Sequence, residues 1–438
     1  MMNEEAQTTG VAQRARRRIF RRIMPFLFAL FVIAFLDRVN VSYAQLTMSD
    51  EMGFTKEIYG FGSGVFFIGY FLLEIPGSLI AERWSVRKWI ARIMISWGVL
   101  SILTGFIHNA TQVYGARFLL GAAEAGFFPG IIVYLSHWFR QQDRAKAVAL
   151  FMTALPVTSI LGSPISGWLL DHVKWYGLSG WRWVFILEGL PAILFGLATL
   201  FYLTDWPREA KWLEEDERRW IERELEQEKQ AKKAAHAHHA LAAFKHREVI
   251  QLTLIYFFAV TCVYGFNFWL PTIVKQKSGL PNLTVTLISA VPYCAAFVAM
   301  LLMGWSSDRT KERRWHTALP LVAVAVGLLA SVAAQQSFAL AIVCLSLAAA
   351  GLYGYLPSFW TLPTRVLTES AAAVAIGLIN SFGNLGGFVG PFVFGYIYQK
   401  TGSEVVGMKC LAVSALVAAI LVLTLPRARQ AMRHEAQA

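Results

Sequence analysis

The chain carries about twelve apolar blocks of roughly 20 residues, beginning near residues 24, 58, 88, 111, 144, 181, 248, 283, 315, 338, 370 and 404. A helix rising 1.5 Å per residue crosses a ~30 Å hydrocarbon core with one such block. Composition agrees, with 56% of residues hydrophobic and 16% charged, where a soluble domain would hold about 25% charged residues. The blocks predict a polytopic, all-α membrane protein.

The formal charge of +12 raises the question of nucleic acid, so its placement matters. Arg14, Arg16, Arg17, Arg18, Arg21 and Arg22 precede the first span. Arg87 with Lys88, Arg140 with Arg144, Arg313 with Arg314, and Arg427 with Arg429 then lie at every second connection. The alternate connections are poor in cations; residues 49–57 contain Lys56 alone. This positive-inside pattern predicts two cytoplasmic termini in a plasma membrane, the inner membrane in a bacterium, and leaves no basic face for nucleic acid. The first apolar run is too long for a secretory signal, and no small-residue cleavage site with a mature soluble domain follows. Cys262, Cys294, Cys344 and Cys410 all fall inside spans, which reads as packing rather than a disulfide framework or a metal site.

Between Leu203 and Val249 the composition inverts. Trp212, Trp220, Ile221 and Leu225 among acids and bases predict an amphipathic cytoplasmic helix with its polar face in water. His236, His238 and His239 lack acidic or cysteine partners there and read as linker, with a metal site as the other reading. The expected organisation is a basic tail (1–22), a six-helix bundle (23–203), a charged linker (204–247), a second six-helix bundle (248–425) and a cytoplasmic tail (426–438).

An internal repeat supports that division. GSLIAERWSVRK (Gly77 to Lys88) follows the second span, and MGWSSDRTKERR (Met303 to Arg314) follows the eighth. Glu82 and Arg83 align with Asp308 and Arg309 at an offset of 226 residues. Pro164 in LGSPISGW and Pro391 in VGPFVFGY are 227 apart. The layout and these loops resemble the major facilitator superfamily, which implies a major facilitator fold: twelve transmembrane helices in two six-helix bundles related by a pseudo-twofold axis along the membrane normal, around a midplane site. Relative to the usual loop pattern, Glu82 replaces aspartate and Ser85 replaces glycine. The loops read either as topology-setting charge or as a conformational latch (Glu82, Arg83, Asp308, Arg309, with Arg144) whose acids meet cations of the opposite half. Gly126, Gly130, Gly383, Gly386, Gly387 and Gly390 read as close helix packing, with sliding surfaces as the other reading.

The feature hardest to reconcile with hydrocarbon is VIAFLDRVNVSYAQ, where Asp37 and Arg38 sit side by side. A charge at the bilayer centre costs ~2.5–3.5 kcal/mol on insertion scales and marks a pathway or proton site. Arg117 and Glu124 in the fourth span are seven residues apart, about 700° of helix, so both face one side about 10 Å apart. Asp37 and Arg38 diverge by about 100° and must find different partners. The four charges sum to zero, and protonating either acid leaves an excess positive charge suited to an organic anion. Two structural ion pairs are the bland alternative. Glu74, beside Pro76, reads as structural, and Glu188 as a helix-packing anchor. The second half offers few midplane charges and several hydrogen-bonding groups.

FLDRVNVSYA, ARFLLGAAEAGFFPG, LSHWF with Arg144, WRWVFILEGLPA, Asp205 to Leu213 and FWLPTIVKQ together resemble the anion–cation symporter family, from about residue 23 to 425. The resemblance implies proton-coupled uptake of a small organic anion, such as tartrate, a sugar acid or an aromatic carboxylate. It implies Asp37 and Glu124 as proton sites, Arg38 and Arg117 as anion or ion-pair partners, and Tyr70, Asn267, Trp360, Asn380 and Asn384 as substrate contacts. The expected partners are the anion, protons and the bilayer, with the chain working as a monomer without a cofactor. The absence of H-E-x-x-H, G-x-S-x-G and P-loop motifs speaks against an enzyme or an ATP-driven pump. Proton-driven efflux and a non-transporting sensor are the rival readings.

Overall fold

The computed structural model describes residues 2–235, 247–334, 337–363 and 369–426, and among them every regular element is helical. The elements are α1 (Met2–Met52), α2 (Lys56–Arg83), α3 (Val86–Thr104), α4 (Ala110–Glu124), α5 (Phe127–Trp138), α6 (Gln141–Met152), α7 (Ala154–His172), α8 (Gly180–Tyr202) and α9 (Glu215–Ala235). The second half continues with α10 (Arg247–Ser278), α11 (Asn282–Thr310), α12 (Arg314–Ala333), α13 (Phe338–Gly354), α14 (Leu356–Phe359), α15 (Glu369–Asn384), α16 (Gly386–Thr401) and α17 (Glu404–Leu423). Eleven helical stretches among the described residues are long and apolar enough to cross a membrane. The twelfth is α3, whose first turns carry Arg87, Lys88 and Arg92 and which packs along α8.

Several spans are bent pairs of helices. The fourth breaks between α4 and α5 at Gly126, whose φ of +86° is a conformation that side chains with a Cβ rarely adopt. Added there, a Cβ would also stand 3.1 Å from the Gly77 carbonyl carbon, so this glycine serves the bend as well as the packing. Gly390 does fit the packing role, since a Cβ would meet Thr261 O at 2.2 Å, whereas Gly130 has ordinary room.

The two halves meet along α1 and α10, along α2 with α15 and α16, and along α7 with α11. Arg38 bonds Tyr264 and Gln45 bonds Thr272, across sequence separations of 226 and 227 residues. These match the offsets of the internal repeat. Equivalent residues of a pseudo-symmetric pair touch each other only beside the symmetry axis, so α1 and α10 flank that axis.

The basic N-terminal stretch continues α1, giving a helix about 75 Å long. Arg14 and Arg18 pair with Asp216 and Glu214 at 2.7 Å each, and Arg16 pairs with Asp143. Its partners are therefore the start of α9 and α6. Trp220 and Ile221 lie on α9 as expected, but Trp212 precedes it and stacks on Trp138 at 5.2 Å. The acidic face is not wholly in water either. Glu217 is buried and meets Arg18 at 3.1 Å.

Asp205, just before α9, accepts from Ser85 Oγ at 2.5 Å and from Arg87 N at 2.8 Å, tying the linker entrance to the start of α3. Ser85, the residue that departs from the glycine pattern, thus has a specific partner. Cys262, Cys294, Cys344 and Cys410 are free thiols on α10, α11, α13 and α17. His236, His238 and His239 lie outside the described residues.

Candidate functional site

At mid-height on α1, Asp37 and Arg38 turn to different neighbours, as 100° per residue demands. Asp37 is fully buried, and its Oδ1 accepts from Ser101 Oγ on α3 at 2.8 Å and from Asn40 Nδ2 at 3.1 Å. Arg38 reaches the other way. Its Nη2 pairs with Glu124 on α4, and its Nη1 donates to Tyr264 Oη on α10 at 2.8 Å. One guanidinium thus joins a carboxylate of its own half to a phenol of the opposite half. It also lies over the rings of Tyr70 at 5.4 Å and Phe66 at 5.3 Å.

Arg117 and Glu124 face the same side of α4, seven residues apart, and both are buried. They differ in their partners. Arg117 has no ion pair among the described residues; its Nη2 donates to Arg38 O at 3.3 Å and its guanidinium rests 5.0 Å from the Phe66 ring. Its Nε and Nη1 carry no hydrogen bond, nor do Asp37 Oδ2, Glu124 Oε2 and Arg38 Nε. Buried polar atoms are almost always paired, so this concentration of unmet donors and acceptors sets the cluster apart from ordinary packing. Arg38, with 13% of its side chain exposed, is the more accessible of the two arginines.

Across the axis, Asn267 lies on α10 among tyrosines: it donates to Tyr353 Oη at 3.1 Å and accepts from Tyr293 Oη at 3.0 Å. Trp360 packs edge-on to Tyr256 with centroids 5.0 Å apart. Asn380 on α15 donates to Glu74, and Asn384 is buried one turn further along the same helix. Among the described second-half residues, Tyr264 bonds the charged cluster directly.

Among the described loop residues, Asp308 and Arg309 find neighbours in their own half and Arg144 in the linker. Asp308 pairs with Arg313 at 2.7 Å, Arg309 lies over Trp305 at 5.4 Å, and Arg144 meets Glu228 of α9 at 3.8 Å. The side chains of Glu82 and Arg83 lie outside the described residues.

Sequence reasoning did not single out Ser101, Asn40 or the contact between Glu74 and Asn380. Asn40 was readable, since i and i+3 share a helix face. Ser101 left no local signal, and the Glu74–Asn380 contact joins residues 306 positions apart. Glu188, read as a packing anchor, accepts from Ser166 Oγ at 2.6 Å between α8 and α7.

The sequence profile of the Major Facilitator Superfamily matches residues 26–391. A protein of Agrobacterium vitis named "Putative tartrate transporter" is 45% identical over 426 residues, 97% of this chain and 96% of that protein. The "Quinolone resistance transporter" of Acinetobacter baumannii is 36% identical over 92% of this chain and 93% of its own length. An inward-open structure of the xylose transporter XylE from E. coli superposes with a TM-score of 0.74 at 15% identity, covering 93% of this chain and 96% of that one.

Proposed function

Since this chain belongs to the Major Facilitator Superfamily and is a multi-pass carrier of small molecules, we propose that it takes up a small organic anion with protons, by alternating access. Tartrate is the leading candidate, on the name of the 45% identical relative, with sugar acids and aromatic carboxylates in the same chemical class. One observation carries the reading: Arg38 holds Glu124 of its own half and Tyr264 of the other at once.

A substrate carboxylate that reaches Arg38 competes with Glu124 for it. Glu124, 3% exposed, would then keep a bare charge in a dry site, and stripping one partner from a buried pair costs about 3–5 kcal/mol. A proton on Glu124 removes that cost. Anion and proton therefore favour each other's binding, and by linkage the effect is reciprocal. Asp37, held by Ser101 and Asn40 rather than by an arginine, is a second proton site, on α1 beside Arg38. Arg117 supplies positive potential behind the pair, with Nε and Nη1 available to a ligand or to a carboxylate that changes partner. Tyr70, Asn267, Trp360, Asn380 and Asn384 give shape and hydrogen bonds to the rest of the substrate.

Positive-inside charge makes the α9 end cytoplasmic, consistent with a bacterial inner membrane. The end carrying Lys56, Asp171 and Asn282 is then the outer one. Residues 204–247 tether the two bundles, and one chain holds both walls of the site, so it works as a monomer. Glu82, Arg83, Asp308, Arg309 and Arg144 act as a latch in the outward-open state, for which Asp308 leaves Arg313 and Arg144 leaves Glu228. Uptake of an organic-acid panel into proteoliposomes under an inward proton gradient tests the reading. Accumulation of at least one dicarboxylate or sugar acid that collapses with the gradient supports it; no gradient-dependent accumulation rejects it. The quinolone relative favours efflux as the second reading, which predicts loss of preloaded substrate under the same gradient.

A further inference from the structure

One face of α2 runs the length of the contact between the halves. From the Lys56 end its rungs are Gly60, Gly64, Phe67, Phe71 and Glu74, spaced three or four residues apart as one helix face requires. Their neighbours on α16 and α15 run in the opposite sense. A Cβ on Gly60 would lie 2.6 Å from Pro391 O, and one on Gly64 would lie 2.8 Å from Phe388 O. Phe67 abuts Gly387, Phe71 meets Phe382 at 5.1 Å, and Glu74 accepts from Asn380.

The character of the seam changes along its length. At the Lys56 end, backbone lies on backbone with no space for a side chain. Towards the linker end the described bridges are side chains, Phe71 with Phe382 and then Glu74 with Asn380. Glu74 is 2% exposed. The pseudo-symmetric seam, α7 with α11, has no counterpart: at the repeat offsets, Glu74 corresponds to Met300 and Asn380 to Thr153. Thr153 donates its hydroxyl to Leu150 O of its own span.

We propose that Glu74 is a positioning residue of the transport cycle, a polar pin that holds the linker ends of the two halves together through Asn380 and must release for that end to open. The pin also occupies the Asn380 amide, so closing this end and offering Asn380 to substrate are alternatives. The inference rests on the alternating-access reading above, but its test needs no substrate, so a failed uptake assay leaves it intact.

The test is an inter-half distance measured by pulsed electron resonance between spin labels at Lys88→Cys and Lys311→Cys, both exposed at the linker end. Cys262, Cys294, Cys344 and Cys410 are first replaced by serine. Glu74→Leu should move the populations towards the longer distance by roughly tenfold, the effect of losing one charged hydrogen bond. Asn380→Leu, which removes the pin from the other side, should do the same. Glu74→Gln keeps an acceptor oxygen towards Asn380 and should keep the parent distribution. An unchanged distribution in both leucine variants, or equal lengthening in Glu74→Gln, would overturn the pin.

Discussion

Replacing Tyr264 by phenylalanine removes one oxygen from the interface between the halves and leaves the packing in place. The ring keeps its contact with Phe67, centroids 4.3 Å apart, and Arg38 keeps Glu124. What disappears is the 2.8 Å bond from Arg38 Nη1. A hydrogen bond to a charged group contributes about 1.5–3 kcal/mol. Because this one joins the two halves, its loss acts on their relative position more than on the fold of either. The conformational equilibrium should shift away from the present arrangement by roughly 10- to 150-fold. Spin labels at Lys88→Cys and Lys311→Cys read that shift directly. Tyr70→Phe is the control: Arg38 lies over the Tyr70 ring at 5.4 Å, and phenylalanine keeps that ring. A Tyr264→Phe distribution matching the parent, or a Tyr70→Phe shift as large, would refute the idea that Arg38 couples the halves through Tyr264.

Arg38→Ala should lose most anion binding, measured by isothermal titration, and Arg38→Lys should recover only part, because one ammonium lacks the guanidinium's planar fork for Glu124 and Tyr264; full affinity in Arg38→Ala and Arg117→Ala together would exclude an anion site here. Asp205→Ala removes the acceptor for Ser85 Oγ and Arg87 N, so it should cost about 1–2 kcal/mol, seen as a Tm lower by about 2–8 °C. Ser85→Gly, which removes one of the two contacts, should lower the Tm by less; equal Tm values in all three proteins would remove Asp205 from the architecture. Glu82→Gln and Asp308→Asn should raise maleimide labelling at cysteines introduced on the linker side of the cavity and lower it on the other side. Unchanged labelling in both would leave those loops with a topological role only.

Much of this molecule can be read before its coordinates because hydrocarbon is an unforgiving solvent. Twelve blocks of suitable length, a 226-residue repeat and alternating cation-rich loops follow from span length and charge placement alone. Helix geometry likewise separates Asp37 from Arg38 and aligns Arg117 with Glu124. The partners across helices were not legible. Arg38 could have met any acid at its depth, and nothing local says that Glu124 takes it while Arg117 goes without. Asp205 illustrates the same limit: its motif was visible, but its bond to Ser85 joins residues 120 positions apart. Glu74 looked structural beside Pro76 because its partner, Asn380, is 306 residues away. The break at Gly126 was read as packing, since a positive φ leaves no mark in a single sequence beyond the glycine itself.

On this mechanism an anion on Arg38 and a proton on the neighbouring acids bind together. The most direct measurement is radiolabelled tartrate uptake into proteoliposomes with and without an inward proton gradient, set beside tartrate exchange at equal pH. The parent should accumulate tartrate only under the gradient. Glu124→Gln, which mimics the protonated acid permanently, should lose gradient-driven accumulation while exchange persists, and Asp37→Asn should also lose accumulation. Accumulation at the parent level in both variants would contradict the account, whatever the substrate's route through the bundle.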